Sequence, residues 1–338
     1  KILSDFGVVD HTSPMPKLTF GSTNYSFPEL AAKIFLHLKE HAEQELGAAI
    51  SKAVVSVPAY FDDASRGAVM LAAKIAGFDV LRLIAEPTAA AYAYGFHKKS
   101  EGAYMIYDLG GGTFDVSILN MEAGIFQVIA TGGDNLLGGD DLDHILAERI
   151  AKELNISLEP SLYLKAKELK ELLSSQNSAS LNFGSQKFEI TREVFDNLIS
   201  KVINRTIKIA KDTLFDADVK LDGIVLVGGS TRIPFIAQNL TKAFGVKVFS
   251  DIDPDRAVVI GAALQAENLS LASSRNSLLI DVLPLSVGME LYGGIAEKII
   301  MRNTPIPFSI TKIFTTYADY QTGMQFHIVQ GEREMVQD

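Results

Sequence analysis

Several features are absent or scarce in this sequence, and each absence narrows the possible functions. Cysteine is absent, so the chain forms no disulfide and suits a reducing compartment. No apolar run is long enough to cross a bilayer, and residues 1–7 lack the features of a secretory signal. Basic residues are outnumbered, with 31 Lys and Arg against 41 Asp and Glu and a formal net charge of −10. This balance argues against nucleic acid as the main partner, and together these features predict a cytoplasmic protein without a membrane anchor.

The chain does contain enough apolar material for a folded core. Hydrophobic residues make up 47% of the sequence and charged residues 21%, which is typical of a globular protein. A length of 338 residues exceeds what one core usually organises, so we expect two or more domains.

Helical and strand-like segments alternate along most of the chain. Residues 28–46 have helical spacing, residues 53–58 are β-branched, and residues 63–76 are helical in composition before the same order repeats. Such alternation predicts an α/β fold. Residues 161–215 indicate an inserted subdomain, and beyond residue 284 the pattern predicts a small domain of alternating strands.

The most informative stretch is a glycine run flanked by two carboxylates. An apolar, strand-like run leads into Asp108, Gly110, Gly111, Gly112, Thr113 and Asp115. Glycines let main-chain N–H groups approach anionic oxygens, and the two aspartates could hold a hydrated divalent cation. We interpret the stretch as a nucleotide phosphate clamp; the simpler alternative is a tight hairpin.

A second strand runs into paired glycines at Gly228 and Gly229, which could bind phosphate or ribose or could be only a packing turn. A zinc motif is also possible, since residues 37–41 match the H-x-x-E-H pattern. We reject zinc there because the apolar stripe Leu30, Ile34 and Leu38 accounts for the helix and no third ligand is evident. We expect His37 and His41 to face solvent.

These motifs together resemble the DnaK-type heat-shock-seventy family of chaperones, over nearly the whole chain. The matching segments occur in family order: Val57-Pro58-Ala59-Tyr60-Phe61-Asp62-Asp63, Glu86-Pro87-Thr88-Ala89-Ala90-Ala91, residues 108–115, Val227-Gly228-Gly229-Ser230-Thr231-Arg232 and Gln330-Gly331-Glu332-Arg333. The tail, residues 302–338, looks most like the HscA branch, which serves iron–sulfur cluster assembly.

The resemblance implies a fold and a domain order. The fold is α/β, with partial actin- and hexokinase-like ATPase lobes, then a linker and a partial β-sandwich substrate-binding domain. Residues 1–103 are the remainder of lobe I, and residues 104–273 are lobe II with a subdomain inserted at about 145–203. Residues 274–283 are the linker, and residues 284–338 begin the β domain.

The resemblance also implies an ATP site with Mg²⁺. Glu86, Asp108, Thr113 and Asp115 would be catalytic, with Asp108 and Asp115 around the metal through water. The remaining nucleotide contacts would come from the glycine turns and the base end of the site: Gly110, Gly111, Gly112, Lys170, Ser174, Gly228, Gly229, Ser230, Arg232 and Asp255. Phosphoryl transfer needs mainly alignment and charge neutralisation, so no serine or cysteine nucleophile is required.

The resemblance further implies coupling between ATP and peptide. An apolar peptide segment would contact Met289, Tyr292, Tyr317, Met324 and Phe326. Pro58, Arg66 and Asp281 would carry the allosteric signal, and the linker would dock on the ATPase lobes in the ATP state. Expected partners are a J-domain co-chaperone and an iron–sulfur scaffold protein or other apolar segments, in a bacterial cytoplasm.

The sequence departs from the family pattern in two respects. Lys167 and Glu171 stand where the family more often has Glu and Arg, so the adenine contacts are expected to be weaker. The family's N-terminal phosphate loop, its catalytic lysine and the later part of the substrate domain are not found in this sequence. We therefore expect ATPase activity from the intact protein and little from this chain alone.

Other functions share some of these features. A general folding chaperone of the same family is the alternative, whereas a sugar or acetate kinase of the same fold would lack the apolar segment 278–282 and the β tail. An actin-like filament or nucleotide-sensing scaffold is the non-enzymatic alternative. Concentration-dependent light scattering with ATP would support the filament, and peptide-stimulated ATPase activity would support the chaperone.

Overall fold

The computed structural model describes residues 9–10, 17–20, 23–98, 101–184, 186–270, 277–316 and 319–337. Eight α-helices lie within these ranges, and their bounds are α1 Phe27–Leu46, α2 Asp63–Ile75, α3 Glu86–Lys98, α4 Gly139–Leu154, α5 Pro160–Ser175, α6 Arg192–Ala217, α7 Pro234–Phe244 and α8 Ala257–Ser270. No helix among the described residues is both long and apolar enough to span a membrane.

Strands alternate with these helices, as the sequence predicts. Their bounds are β1 Val9–Asp10, β2 Lys17–Phe20, β3 Thr23–Ser26, β4 Lys52–Val57, β5 Asp79–Ala85, β6 Gly102–Leu109, β7 Phe114–Glu122, β8 Ile125–Asp134, β9 Ser178–Phe183, β10 Gln186–Thr191, β11 Gly223–Val227, β12 Val248–Phe249, β13 Leu278–Val282, β14 Val287–Leu291, β15 Ile295–Ile300, β16 Pro305–Ile306 and β17 Ile328–Gln330. The mixed α/β class is therefore confirmed.

The chain divides into two compact units. The first comprises the described residues within Lys1–Val57, Phe61–Ala85 and Ala262–Ser273. It contains the antiparallel β1–β2–β3 sheet and the parallel pair β4–β5. Helix α1 begins with a capping box between Ser26 and Glu29, with proline in its first turn.

Helix α1 differs from the sequence interpretation in its burial. Ile34 and Leu38, which form the predicted apolar stripe, are 63% and 55% exposed, whereas Pro28 and Ala32 are buried. Periodicity predicts the helix but does not establish which face another element covers. His37 and His41 are exposed, as expected.

The second unit comprises Pro58–Tyr60, Glu86–Gly261 and the described residues of Ser274–Asp338. Its main sheet has seven strands in the order β12–β11–β6–β7–β8–β13–β16. The central β6–β7–β8 meander is antiparallel, β11 joins β6 in parallel, and β13 joins β8 in parallel. A large core lies against this sheet, and Tyr107, Phe114, Phe188 and Phe195 are among its fully buried side chains.

The expectation of alternating strands beyond residue 284 is only partly right. Strands β14, β15 and β17 form a small antiparallel sheet in the order β15–β14–β17. Residues 307–316 and 319–327, within the described part of the chain, form no strand. Alternation assigns side chains to two faces, but a strand also requires a neighbouring backbone to pair with.

Candidate functional site

The glycine run Gly110–Gly112 forms the turn of a hairpin between β6 and β7. Leu109 pairs with Phe114 at its base, and Gly110 N–H donates to Thr113 O at 3.1 Å. The hairpin alternative is therefore right about the local geometry. The same geometry places Asp108 directly opposite Asp115, with the two residues 7% and 1% exposed. Residues opposite each other in an antiparallel pair share one face of the sheet, so the two carboxylates are neighbours.

Glu86, the first residue of α3, belongs to the same acidic cluster. Burial, followed by the charge of Asp115, raises the pKa of Glu86 to about 7. Burial raises the pKa of Asp108 well above its ordinary value, and the charges of Glu86 and Asp115 add to that effect. The three carboxylates therefore oppose one another's ionisation, and a cation would relieve this repulsion.

This cluster fits a hydrated divalent cation better than a directly coordinated one. Among the described residues, no three His, Cys, Asp or Glu side chains have the arrangement of direct metal ligands. Mg²⁺ usually keeps several waters and uses one or two carboxylates. Asp108 and Asp115 supply such a pair, and both are buried beside Glu86.

Three backbone segments converge on the glycine turn. Gly139 N–H donates to Gly110 O at 2.9 Å, and Asp140 N–H donates to Gly111 O at 2.7 Å. From a third segment, the Ser230 hydroxyl donates to Gly110 O at 2.9 Å. The turn is therefore held by the N-terminus of α4 and by the loop that follows β11.

Only glycine fits at two of these approaches. Gly228 has φ +83°, and a Cβ atom there would lie 2.4 Å from Leu109 O and 2.6 Å from Asp108 Oδ1. A Cβ atom on Gly138 would lie 2.4 Å from Gly111 O. These distances are far below van der Waals contact, so each glycine permits two backbones to meet beside the carboxylates.

An open cleft of about 580 Å³ lies beside these glycines. Residues predicted to bind nucleotide line it, namely Gly111, Lys170, Ser174, Gly229, Ser230, Arg232 and Asp255. The other lining residues are Asp140, Asp143, Lys167, Glu171 and Ile233. The structure thus brings Gly111 of the turn and the predicted base-end residues to one cavity, although they lie far apart in sequence. Its lining does not include the predicted residues Glu86, Asp108, Gly110, Gly112, Thr113, Asp115 and Gly228.

Ion pairs set the charge of the cleft wall. Arg232 donates to Asp253 Oδ1 and to Asp255 Oδ2, each at 2.7 Å. These contacts, with the hydrogen bond to Asp255 the largest, raise the pKa of Arg232. Lys167 and Glu171, the two departures from the family pattern, form a loose pair at 4.0 Å and are both exposed.

Two site residues were missed by the sequence interpretation. Asp143 lines the cleft and forms a buried ion pair with Lys170 at 2.9 Å. Tyr60 N–H donates to Asp115 Oδ1 at 3.0 Å. The carboxylates at Asp140 and Asp143 gave a weak signal, because they lie one turn apart at the start of a helix; nothing in the sequence pointed to the Tyr60 amide.

The residues expected to bind peptide differ in burial. Met289 on β14 is 6% exposed, whereas Tyr292, Met324 and Phe326 are 93%, 40% and 53% exposed. Phe326 contacts Phe314, with ring centroids 5.8 Å apart. Tyr317 lies outside the described residues.

The three residues expected to carry the allosteric signal lie in different parts of the chain. Pro58 is half-buried just after β4. Arg66 Nε donates to Phe61 O at 3.0 Å within the first unit. Asp281 lies on β13, where its carboxylate accepts from Val282 N–H at 2.9 Å.

Comparison with known proteins places the chain in a family. The family model described as "Hsp70 protein" matches residues 5–338. The chain is 56% identical over 331 residues to the chaperone protein HscA homolog of Rickettsia conorii, a match covering 98% of this chain and 55% of that protein. The homologues of Rickettsia rickettsii and Rickettsia prowazekii are 56% and 55% identical over the same coverage.

The chain thus spans about 55% of the length of the curated relatives it matches. The family match covers both the glycine turns and the acidic cluster described above. The chain belongs to the Hsp70 family.

Proposed function

We propose that this chain carries most of the nucleotide site of an ATP-hydrolysing chaperone. The observation that supports this best is the convergence of the turn Gly110–Gly112, the start of α4 and the loop at Gly228 on one cleft beside buried carboxylates. Main-chain amides and small residues around a cleft suit polyphosphate. Membership of the Hsp70 family agrees with this chemistry.

In this proposal Asp108 and Asp115 hold Mg²⁺ through water, and Glu86 and Thr113 act beside them. A bound Mg²⁺ ion supplies charge neutralisation for the phosphates. Glu86, with a pKa raised to about 7, can accept a proton from water near neutral pH. Gly228, Gly229, Ser230, Arg232, Asp255, Lys170 and Ser174 form the remaining contacts with the nucleotide.

The β region is proposed to bind an apolar peptide segment. Tyr292, Met324 and Phe326 present exposed apolar surface for this purpose, whereas Met289 on β14 is buried. The boundaries at residues 103, 273 and 283 are retained in this proposal, as is the assignment of residues 284–338 to the beginning of a substrate-binding domain.

Strand β13 offers a route for coupling the two activities. It occupies the expected linker and pairs in parallel with β8, with Leu279 opposite Phe126. This pairing is the docked arrangement that the proposal assigns to the ATP state, with Pro58, Arg66 and Asp281 carrying the signal. Unchanged peptide stimulation of ATPase activity after mutation of Asp281 would contradict this role.

Similarity to proteins named HscA homolog supports a role in iron–sulfur cluster assembly, with a scaffold protein and a J-domain co-chaperone as partners. A cytoplasmic location and the absence of a nucleic-acid partner remain predictions from the sequence.

The test is ATP turnover by the protein as the cell makes it, with and without an apolar peptide. Asp115→Asn should reduce turnover by roughly 100-fold, because it removes a charge from the reacting centre. Glu189→Gln, which removes an exposed carboxylate on β10, is the matched control and should have no effect. Peptide-insensitive turnover, or equal activity of the two variants, would refute the proposal.

A further inference from the structure

A buried ion pair lies in the wall of the cleft. Lys170 Nζ is 2.9 Å from Asp143 Oδ1, and the two side chains are only 9% and 8% exposed. The ammonium also donates a hydrogen bond to Gly139 O at 3.1 Å. Burial raises the pKa of Asp143, and the charge of Lys170 opposes this effect.

The peptide group that Lys170 contacts lies next to the glycine turn. While Gly139 O accepts from Lys170, Gly139 N–H donates to Gly110 O at 2.9 Å. The next amide, Asp140 N–H, donates to Gly111 O at 2.7 Å. The backbone at Gly139 has little room to move, since a Cβ atom there would lie 3.1 Å from Lys170 Nζ and 2.4 Å from Ser230 Oγ. Movement of the ammonium would therefore shift the start of α4 and the turn that it supports.

We propose that Asp143 is a positioning residue for nucleotide binding: it fixes Lys170 against Gly139 and so holds the turn Gly110–Gly112 in the shape that receives the phosphates. This inference rests on the proposed nucleotide function. It assigns Lys170 a role beyond contact with the base, because its ammonium is directed toward the support of the phosphate turn. Asp143 itself need not touch the nucleotide.

A second ion pair in the same cleft provides a matched control. Lys167 and Glu171 also lie on α5 and line the cleft, but they are 4.0 Å apart and 58% and 65% exposed. Exposed pairs of this kind contribute little. Glu171→Gln therefore removes a carboxylate from α5, the helix that carries Lys170. It leaves the contacts from Asp143 through Lys170 and Gly139 to Gly110 unchanged.

The experiment compares Asp143→Asn and Glu171→Gln in the protein as the cell makes it. Hydrogen exchange of the Gly139 and Asp140 amides should be about tenfold faster in Asp143→Asn, and affinity for ADP should fall by about tenfold, a typical coupling between linked sites. Affinity for adenosine, which has no phosphate, should be unchanged. Glu171→Gln should leave amide exchange and the ratio of ADP to adenosine affinity unchanged.

A double variant separates positioning from misfolding. Asp143→Asn leaves Lys170 buried without its partner, whereas Asp143→Asn with Lys170→Met removes both charges and should fold. This double variant should still show the fast Gly139 and Asp140 amides. Because it also removes the predicted Lys170 contact with the base, the selective loss of ADP affinity is expected only in Asp143→Asn. Unchanged amides, or equal losses for ADP and adenosine, would overturn the inference. If the wild-type protein binds neither ligand, the proposed function fails, and the amides alone decide whether Asp143 positions the turn.

Discussion

Gly228, which directly precedes the cleft residue Gly229, should not tolerate a side chain. It follows β11 directly, and its φ of +83° is rarely adopted by residues with a side chain. In Gly228→Ala the new Cβ atom would lie 2.4 Å from Leu109 O and 2.6 Å from Asp108 Oδ1. A methyl group must therefore displace either the end of β6 or a buried carboxylate.

The cost follows from two separate effects. Holding a non-glycine residue in such a backbone conformation costs on the order of 1–3 kcal/mol, and forcing a methyl group into a packed site costs a similar amount. We expect Gly228→Ala to lower the free energy of unfolding by about 3 kcal/mol or more, because the two effects together cost about 2–6 kcal/mol. For a unit of this size, that corresponds to a decrease in Tm of roughly 6 °C or more.

Gly112→Ala, in the neighbouring glycine turn, is the matched control. No atom lies within 4 Å of the position of its Cβ, so this substitution should change the free energy of unfolding by less than about 0.5 kcal/mol. Thermal unfolding followed by circular dichroism, with urea unfolding as a second measurement, compares the two variants. Equal midpoints for Gly228→Ala and wild type would refute the claim that backbone proximity at Gly228 is a rigid constraint.

Three further predictions concern charge, the docked strand and a turn. Because the pKa of Glu86 is raised from 4.5 to about 7, the folded chain binds more protons than the unfolded chain between these values. Stability should therefore fall as pH rises through this window, by up to about 3 kcal/mol from Glu86. Glu86→Gln should reduce the dependence of the urea-unfolding free energy on pH between pH 5 and pH 8, with the remainder coming from Asp108, whose pKa is also raised. An unchanged slope would contradict the assignment. Asp216→Asn breaks an ion pair with Arg302 at 2.6 Å. Hydrogen exchange of the Leu283 amide should become faster, because this amide donates to Thr304 O, two residues beyond Arg302. The free energy of unfolding should fall by less than about 1 kcal/mol, and this loss should disappear in high salt. The exposed control Glu189→Gln should have no effect. Ala123 has φ +49° in the turn between β7 and β8, so Ala123→Asn should raise the free energy of unfolding by about 1 kcal/mol in thermal denaturation; an unchanged or lower Tm would count against strain at this turn.

The sequence predicts secondary structure best where several local signals agree. Helix α7 is an example, since it begins at Pro234, where proline suits the first turn, and ends at Phe244, where Gly245 terminates it in a left-handed conformation. Burial was harder to predict: Ile34 and Leu38 have helical spacing but remain exposed. Periodicity describes the helix itself, whereas burial depends on elements that reach it from elsewhere in the chain.

The candidate site residues were likewise predictable only where their signals are close together in the sequence. The glycines and Asp108 were recognisable because their chemistry is contiguous in sequence. The Asp143–Lys170 pair was not, since it forms only when α4 and α5 pack together. The pKa of Glu86 also depends on tertiary structure, because burial and Asp115 raise it. From sequence alone, a glutamate at the start of a helix is explained as well by its favourable interaction with the helix dipole as by a catalytic role.

The glycine turn shows why structural and functional explanations need not compete. As a hairpin, it pairs Leu109 with Phe114 and so places Asp108 opposite Asp115. Two like charges on one face of a sheet are unfavourable, and burial increases that cost, as the raised pKa of Asp108 records. A hairpin serving only as a connection would gain nothing from two buried carboxylates, whereas a site for a hydrated cation and phosphate requires negative charge beside free backbone amides. The carboxylates, rather than the glycines, therefore distinguish a binding turn from a simple reversal of the chain.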